Sequence, residues 1–166
     1  MTATESIIVD TDSRVKGPTT RWVAFVLANE TYAVPVTSVQ EIVNVEDVSI
    51  VAGAPDFVLG IVNLRGTVVT VLDLNKRLMM PSKPWEVDLP ILILESGPVT
   101  VGVIVDGIRE VVDIEDSLVE PPPAVIRSGG QSSTFITGVA NVEEGIIILI
   151  DVDQLLLEAR EAAEQE

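Results

Sequence analysis

The chain has 166 residues, of which 47% are hydrophobic, 26 are acidic and 10 are basic, giving a net charge of −16. This length fits one compact unit or two very small ones, and the apolar content is too high for a disordered chain. Because phosphate backbones and anionic lipid surfaces would repel so acidic a protein, we expect no nucleic acid partner and no polybasic membrane attachment.

The composition also restricts the chemistry that the chain could perform. It contains no cysteine and no histidine. Disulfides, thiolate nucleophiles, Cys/His zinc sites and Ser-His-Asp triads are therefore excluded. No apolar run approaches the roughly 20 residues of a membrane-spanning helix, so we expect no direct membrane insertion. The absence of cysteine fits a reducing compartment.

The predicted elements are mostly short β-strands. Residues 1–18 are polar, end in Gly17-Pro18 and are interpreted as a flexible tail. The segments that follow are rich in β-branched residues and separated by turn residues, as is typical of strands. These segments are 21–36 (two strands with a turn at Asn29-Glu30), 38–51, 60–74, 89–95, 99–114 and 138–152.

The end of the chain has a different character. From Asp153, a candidate N-cap, the sequence QLLLEAREAAEQE favours a helix with Leu155, Leu156 and Ala159 on one face. We predict a C-terminal helix over 153–166 with an acidic end. Short strands followed by one terminal helix indicate an all-β barrel or sandwich.

Two stretches of sequence recur in the same order. Residues 34–47 align without gaps with 103–116, and 60–74 align with 138–152. Val-rich strands could resemble one another by composition alone, but identical Gly, Asn and Asp residues recur at matched places and favour duplication. The matched pairs are Gly60 and Gly138, Asn63 and Asn141, and Asp73 and Asp151. We predict two similar β units, each marginal alone and stabilised by packing on the other.

The two copies differ at one hairpin turn. Arg65-Gly66 in the first copy is replaced by Glu143-Glu144 in the second. A turn that only had to close a hairpin could use either pair, so Arg65 is a candidate binding residue with five fixed N–H donors for a partner. Two other interpretations stay open: an internal ion pair with Glu41, or such a pair that orients Arg65 until a partner replaces it.

Residues 57–78, FVLGIVNLRGTVVTVLDLNKRL, resemble the signature of CheW-type chemotaxis coupling proteins and of the matching regulatory domain of the kinase CheA. The segments 32–43, 101–114 and 147–156 resemble the same family in the same order. The resemblance implies two SH3-like five-stranded β-barrels in tandem. We expect a CheW-like domain over residues 19–158, with barrels formed mainly by about 20–90 and 91–152.

The resemblance also implies a function. Such a protein is a non-catalytic adaptor that bridges methyl-accepting chemoreceptors to a CheA-type histidine kinase in signalling arrays. Its expected partners are the regulatory domain of the kinase and the cytoplasmic hairpin tip of the receptor. Its expected location is the cytoplasm, at membrane receptor arrays reached through these proteins. No catalytic residue, cofactor or metal is expected.

Five residues match family positions associated with receptor binding. Glu41, Arg65 and Ile108 match the receptor-facing groove, and Asn63 and Gly66 match the turn that shapes it. On the residues alone, Glu41 could equally lie on the solvent face of a strand, and Ile108 could be ordinary core.

Two alternative functions are weighed against coupling. The chain could be a CheW-like scaffold of a parallel chemosensory pathway, such as pilus or gliding motility. A carboxylate-dependent hydrolase in a double barrel would use aspartates near small turns, and the chain offers TDS at 11–13 and VDG at 105–107. Because these two motifs do not recur as a pair, the sequence gives the hydrolase little support.

Overall fold

A computed structural model of the chain describes residues 17–44, 47–77, 89–123, 135–143 and 145–157. These residues form two β-sheets, two short α-helices, α1 (Leu74–Arg77) and α2 (152–157), and two 3₁₀ helices, Val36–Ser38 and Asp116–Leu118. The strands are β1 (Thr19–Leu27), β2 (Glu30–Pro35), β3 (Val39–Val43), β4 (Val58–Leu64), β5 (Thr67–Asp73), β6 (Ile91–Ser96), β7 (Val99–Ile104), β8 (Gly107–Glu115), β9 (Val119–Glu120), β10 (Ile136–Val142) and β11 (Gly145–Ile150). The predicted all-β class is confirmed, whereas most of the predicted tail lies outside the described residues.

The two sheets have the same internal order. Sheet 1 is β8-β1-β2-β11-β10-β9, and sheet 2 is β3-β6-β7-β5-β4. Each sheet has one parallel contact, β2 with β11 in sheet 1 and β5 with β7 in sheet 2. The sixth strand of sheet 1, β9, has only two residues, and an isolated bridge between Ser49 and Ile61 takes its place beside sheet 2.

The strand registers confirm the duplication. Trp22 of β1 pairs with Pro35 of β2, and the equivalent Ile91 of β6 pairs with Ile104 of β7. The hairpins β4–β5 and β10–β11 likewise share one register, including a shift just before Gly60 and just before Gly138. The first copy is therefore β1 to β5 with α1, and the second copy is β6 to β11 with α2.

The copies exchange their first hairpins, so the expected division near residue 90 does not separate the two sheets. Sheet 1 contains β1 and β2 of the first copy with β8 to β11 of the second. Sheet 2 contains β6 and β7 of the second copy with β3 to β5 of the first. Sequence similarity shows which segments correspond, but it does not show which copy of a hairpin completes a given sheet.

A single apolar core joins the two sheets. In β1, Val23, Phe25 and Leu27 belong to this shared core, whereas Trp22 and Ala24 belong to a core inside sheet 1. This alternation follows from successive strand residues pointing to opposite faces. The remaining strand residues of the shared core include Tyr32, Val34, Leu72, Leu92, Leu94, Val103 and Ile150. Because both sheets contribute to it, we expect the two sheets to fold as one unit.

Two equivalent glycines allow the backbone to pack closely at the edge of each sheet. A Cβ atom at Gly60 would lie 2.2 Å from the carbonyl oxygen of Ser49. A Cβ atom at Gly138 would lie 2.6 Å from the carbonyl oxygen of Glu120. These distances are far below van der Waals contact, so the recurrence of glycine in both copies has a steric cause.

Equivalent aspartates cap the two helices. Asp73 accepts a hydrogen bond from the Lys76 N–H at 3.2 Å, and Asp151 accepts one from the Gln154 N–H at 3.0 Å. The prediction of Asp153 as the N-cap was wrong, because α2 already begins at residue 152. Leu155 and Leu156, predicted to share one apolar face of the helix, are both buried, whereas Ala159 and the acidic end lie outside the described residues.

Candidate functional site

The turn between β4 and β5 is held in one conformation by its own residues. Arg65 and Gly66 both have positive φ values, 51° and 89°, as in the two-residue turns that match the twist of a β-hairpin. The Asn63 side-chain oxygen accepts a hydrogen bond from the Gly66 N–H at 2.8 Å. Asn63 and Gly66 therefore fix the backbone that carries Arg65, in agreement with the turn predicted from the sequence.

Arg65 of this turn and Glu41 of β3 form a bidentate ion pair. Arg65 Nη1 donates to Glu41 Oε1 at 3.0 Å, and Nη2 donates to Oε2. The arginine side chain is 73% exposed, and the glutamate side chain beneath it is 24% exposed. The hydrogen bonds lower the pKa of Glu41 and raise the pKa of Arg65, and the mutual attraction of the charges adds to both shifts.

The ion pair stands over a small cleft in sheet 2, which we call the paired cleft. Its volume is about 240 Å³. It is lined by Gln40, Glu41, Leu64, Arg65, Thr67 and Val69. Gln40 donates a hydrogen bond to Glu95 at 3.3 Å, so two acidic side chains at this surface already have hydrogen-bond donors. The guanidinium has five N–H donors and uses two of them on Glu41, so three are left for a partner.

Ile108 lies in the other sheet, apart from Arg65 and the three predicted residues around it. It is near the start of β8, half-buried, and packs against the shared core. It lines a larger cleft of about 500 Å³, which we call the open cleft. The lining includes Ala24, Ile108, Arg109, Glu110, Gly145 and Ile147. The structure thus gathers Glu41, Asn63, Arg65 and Gly66 at one surface and puts Ile108 at another.

The open cleft and the paired cleft are equivalent through the duplication. Glu110 corresponds to Glu41, Arg109 to Gln40, Ile147 to Val69, and Gly145 to Thr67, and in each case strand and register agree. The sequence alignment contained the Glu41 and Glu110 match, but it did not extend back to β1 and β6. An alignment of those two strands would have revealed the open cleft, because it matches Ala24 with the larger Ile93.

One of the carboxylates considered for a hydrolase, Asp106, has a structural role. Asp106, the aspartate of the VDG motif, accepts hydrogen bonds from the Ala28 N–H at 2.8 Å and from the Asn75 amide at 3.5 Å. The TDS motif lies outside the described residues. Across the parts of the chain that the structure describes, no three acidic side chains are grouped so that they could hold a metal ion.

Comparison with known proteins decides the family. A family model described as the CheW-like domain matches residues 21–160 of the chain. The chain belongs to the CheW-like family. It is a CheW-type coupling and scaffolding protein of chemotaxis, a non-catalytic adaptor, as the resemblance in the sequence implied.

Individual CheW proteins are similar over most of their length. The chemotaxis protein CheW of Klebsiella aerogenes is 30% identical over 88% of either chain. That of Treponema pallidum is 32% identical over 80% of this chain and 79% of its own. The crystal structure of the scaffolding protein TtCheW from Thermoanaerobacter tengcongensis has 31% identity and a TM-score of 0.70, covering 81% of this chain and 86% of that one. These likenesses confirm the predicted fold of two SH3-like units.

None of the helices in the described part of the chain has the length and hydropathy of a membrane span.

Proposed function

We propose that this CheW-like protein bridges the cytoplasmic hairpin tip of a chemoreceptor to the regulatory domain of a CheA-type histidine kinase. The observation that carries the proposal is the exposed Arg65, which is held by Glu41 on a turn whose backbone is fixed by Asn63 and Gly66. A guanidinium held in one place loses little conformational entropy when a partner binds.

The receptor contact follows from this geometry. The hairpin tip would lie over the paired cleft and accept hydrogen bonds from the N–H donors of Arg65 that Glu41 does not use. Ile108 would contribute an apolar contact to a second part of the same receptor, since it belongs to the other sheet. Such a protein works in the cytoplasm, at the receptor array, and is held there by its partners.

A kinase contact is supported by exposed apolar residues at equivalent positions of the two copies. Ile42 on β3 is 45% exposed, and its equivalent Val111 on β8 is 54% exposed. Isolated exposed apolar side chains are common, but a matched pair suits a partner that itself has two similar sheets. The regulatory domain of CheA is expected to be such a partner, because it resembles the same family.

The test is co-sedimentation with receptor-containing membranes, with and without the kinase. Arg65→Glu should abolish sedimentation with receptors, because it reverses the charge presented to the partner and repels Glu41. Arg21→Glu is the matched control, since the exposed Arg21 also forms an ion pair, with Asp113 at 2.9 Å on sheet 1. The proposal fails if the two variants sediment alike, or if the unaltered chain retains neither partner at micromolar concentration.

The kinase contact needs its own variants. Ile42→Asp and Val111→Asp should each reduce retention of the kinase and leave receptor binding unchanged. Unchanged kinase retention in both variants would exclude these positions. The receptor-binding result with Arg65→Glu would still stand, because it is measured without the kinase.

A further inference from the structure

The two equivalent clefts differ in how they are filled. In the paired cleft, Arg65 covers Glu41, and the glutamate is therefore half-buried. In the open cleft, the equivalent Glu110 is exposed, and the residue equivalent to Arg65 is Glu143. In the described part of the chain neither Arg109 nor Glu110 forms an ion pair. The open cleft therefore keeps the glutamate of the pair but has no arginine at the turn position that supplies the guanidinium in sheet 2.

The open cleft has the greater volume, and two of its lining residues are smaller than their equivalents in sheet 2. Ala24 lines it where the equivalent residue of sheet 2 is Ile93, and Gly145 lines it where sheet 2 has Thr67. Both replacements remove side-chain volume near the cleft. The volume is about 500 Å³, against about 240 Å³ in sheet 2. This space is large enough for a side chain of a partner.

A β-bulge aims the two charged residues of the open cleft. Phe25 pairs with Ile108 and Val23 pairs with Val111, so the two residues between Ile108 and Val111 face one residue of β1. An extra residue of this kind bends a strand and redirects its side chains. The equivalent strand β3 has a register shift at the same place, between Val39 and Glu41. The bulge thus turns a glutamate toward the cleft in both copies.

We propose that the open cleft binds an arginine-bearing segment of a partner protein. The guanidinium would pair with Glu110 as Arg65 pairs with Glu41, and an apolar neighbour would pack on Ile147 and Ile108. Arg109 and Glu110 balance each other in the lining of the cleft. Charge still favours a basic occupant, because the turn that precedes Gly145 carries Glu143 and the whole chain carries −16. The proposal rests on the equivalence of the two clefts, independently of the coupling function.

The test uses three capped tripeptides, acetyl-Leu-X-Leu-amide, in which X is arginine, citrulline or glutamate. Citrulline keeps the shape of arginine without its charge. Titration of the isotope-labelled chain up to about 10 mM peptide, followed by NMR, covers millimolar affinities. The arginine peptide should shift the amide signals of Ile108, Glu110 and Ile147 in a saturable way. The citrulline peptide should bind about tenfold more weakly, because a charge-assisted hydrogen bond is lost.

Three variants test the equivalence. Glu110→Gln should weaken the arginine peptide about tenfold. Glu143→Arg should compete with the peptide, because it supplies a guanidinium from the chain itself at the position equivalent to Arg65. Arg65→Ala should uncover Glu41 and create a second binding site, detected as new shifts at Gln40 and Thr67.

Several results would overturn the proposal. Equal binding of the citrulline peptide would show that the cleft recognises only apolar groups. Stronger binding of the glutamate peptide would show that Arg109 selects an acidic partner instead. An absence of shifts at Ile108 and Glu110 with every peptide would show that the cleft takes none of these segments. None of these results would bear on the coupling function, which is tested separately by co-sedimentation with receptors.

Discussion

The paired cleft and the open cleft occupy equivalent places in two sheets with the same strand order, yet they offer different groups to a partner. One offers an exposed arginine that is already held by an internal glutamate, and the other offers an uncovered glutamate beside empty space. The backbone has therefore stayed duplicated while the side chains at the two clefts have diverged. A fold that closes the same hairpin with either Arg65 or Glu143 does not itself require the arginine, which favours a role in binding.

The interior of the molecule differs from the clefts in this respect, because equivalent residues there have the same structural role in both copies. Phe25 of β1 and Leu94 of β6 are equivalent, and both are fully buried in the shared core. Gly60 and Gly138 make the same close approach to a neighbouring backbone. The two copies therefore agree in the interior and differ at the clefts, where a partner would bind.

The largest expected effect is the loss of a large side chain from the shared core. Phe25→Ala should destabilise the protein by about 3–5 kcal/mol and Leu94→Ala by about 2–5 kcal/mol, since both leave a cavity. Urea unfolding followed by fluorescence and by circular dichroism should show one transition in each variant. Two separate transitions, with only one of them shifted, would contradict a core shared by both sheets.

Filling the close contacts at the equivalent glycines should have the next largest effect. Gly60→Ala and Gly138→Ala should each cost about 1–3 kcal/mol from overpacking. Gly60→Ala should cost more, because its Cβ would lie 2.2 Å from a carbonyl oxygen, compared with 2.6 Å at Gly138. Gly107→Ala is the control, since a Cβ there meets nothing within 4 Å. Thermal denaturation of the three variants gives the order, and a neutral Gly60→Ala would refute the steric explanation.

The sequence predicted which segments are duplicated, but it did not predict that the two copies exchange their first hairpins. The recurrence of Gly60 as Gly138 and of Asp73 as Asp151 was visible as identical letters, and both pairs have equivalent structural roles. Which hairpin completes which sheet depends on contacts between distant strands, and a local alignment contains no information about those contacts. The cap of α2 was misplaced for a simpler reason. Asp151 and Asp153 are two positions apart, and either could cap a helix that begins nearby.

The site was predictable in part. The ion pair of Arg65 with Glu41 was one of the open interpretations, and Asn63 and Gly66 were matched to the turn. Ile108 was grouped with these residues through a family resemblance that gives no distances. The open cleft was missed because no single residue marks it in the sequence. It depends on a small residue at Ala24 and on the absence of an arginine at the second turn.

A moderate effect is expected at the cap of α2. Asp151→Ala should destabilise the protein by about 1 kcal/mol, because the Gln154 N–H loses its acceptor. Asp153→Ala should cost less, since the exposed Asp153 side chain accepts a hydrogen bond from the Ser96 hydroxyl rather than from a helix N–H. Chemical denaturation of both variants compares the two positions. A larger loss for Asp153→Ala would restore that residue as the principal cap.

The smallest expected effect concerns the pH dependence of the paired cleft. Because Arg65 lowers the pKa of Glu41, the pair stabilises the fold above the ordinary glutamate pKa and loses this contribution as the pH falls through the lowered value. NMR titration should show the pKa of Glu41 rising toward its ordinary value in Arg65→Ala. An unchanged pKa would contradict the ion pair. The accompanying change in stability should be slight, since the arginine is largely exposed.

The central claim is that Arg65 serves a partner and not only Glu41, and a charge exchange tests it most directly. The double variant Glu41→Arg, Arg65→Glu keeps an ion pair of opposite polarity. Its melting temperature should therefore exceed that of either single variant and approach the unaltered value. Receptor co-sedimentation is measured on the same samples, and we predict that it stays lost in the double variant. Recovery of receptor binding together with stability would show that the pair only holds the turn.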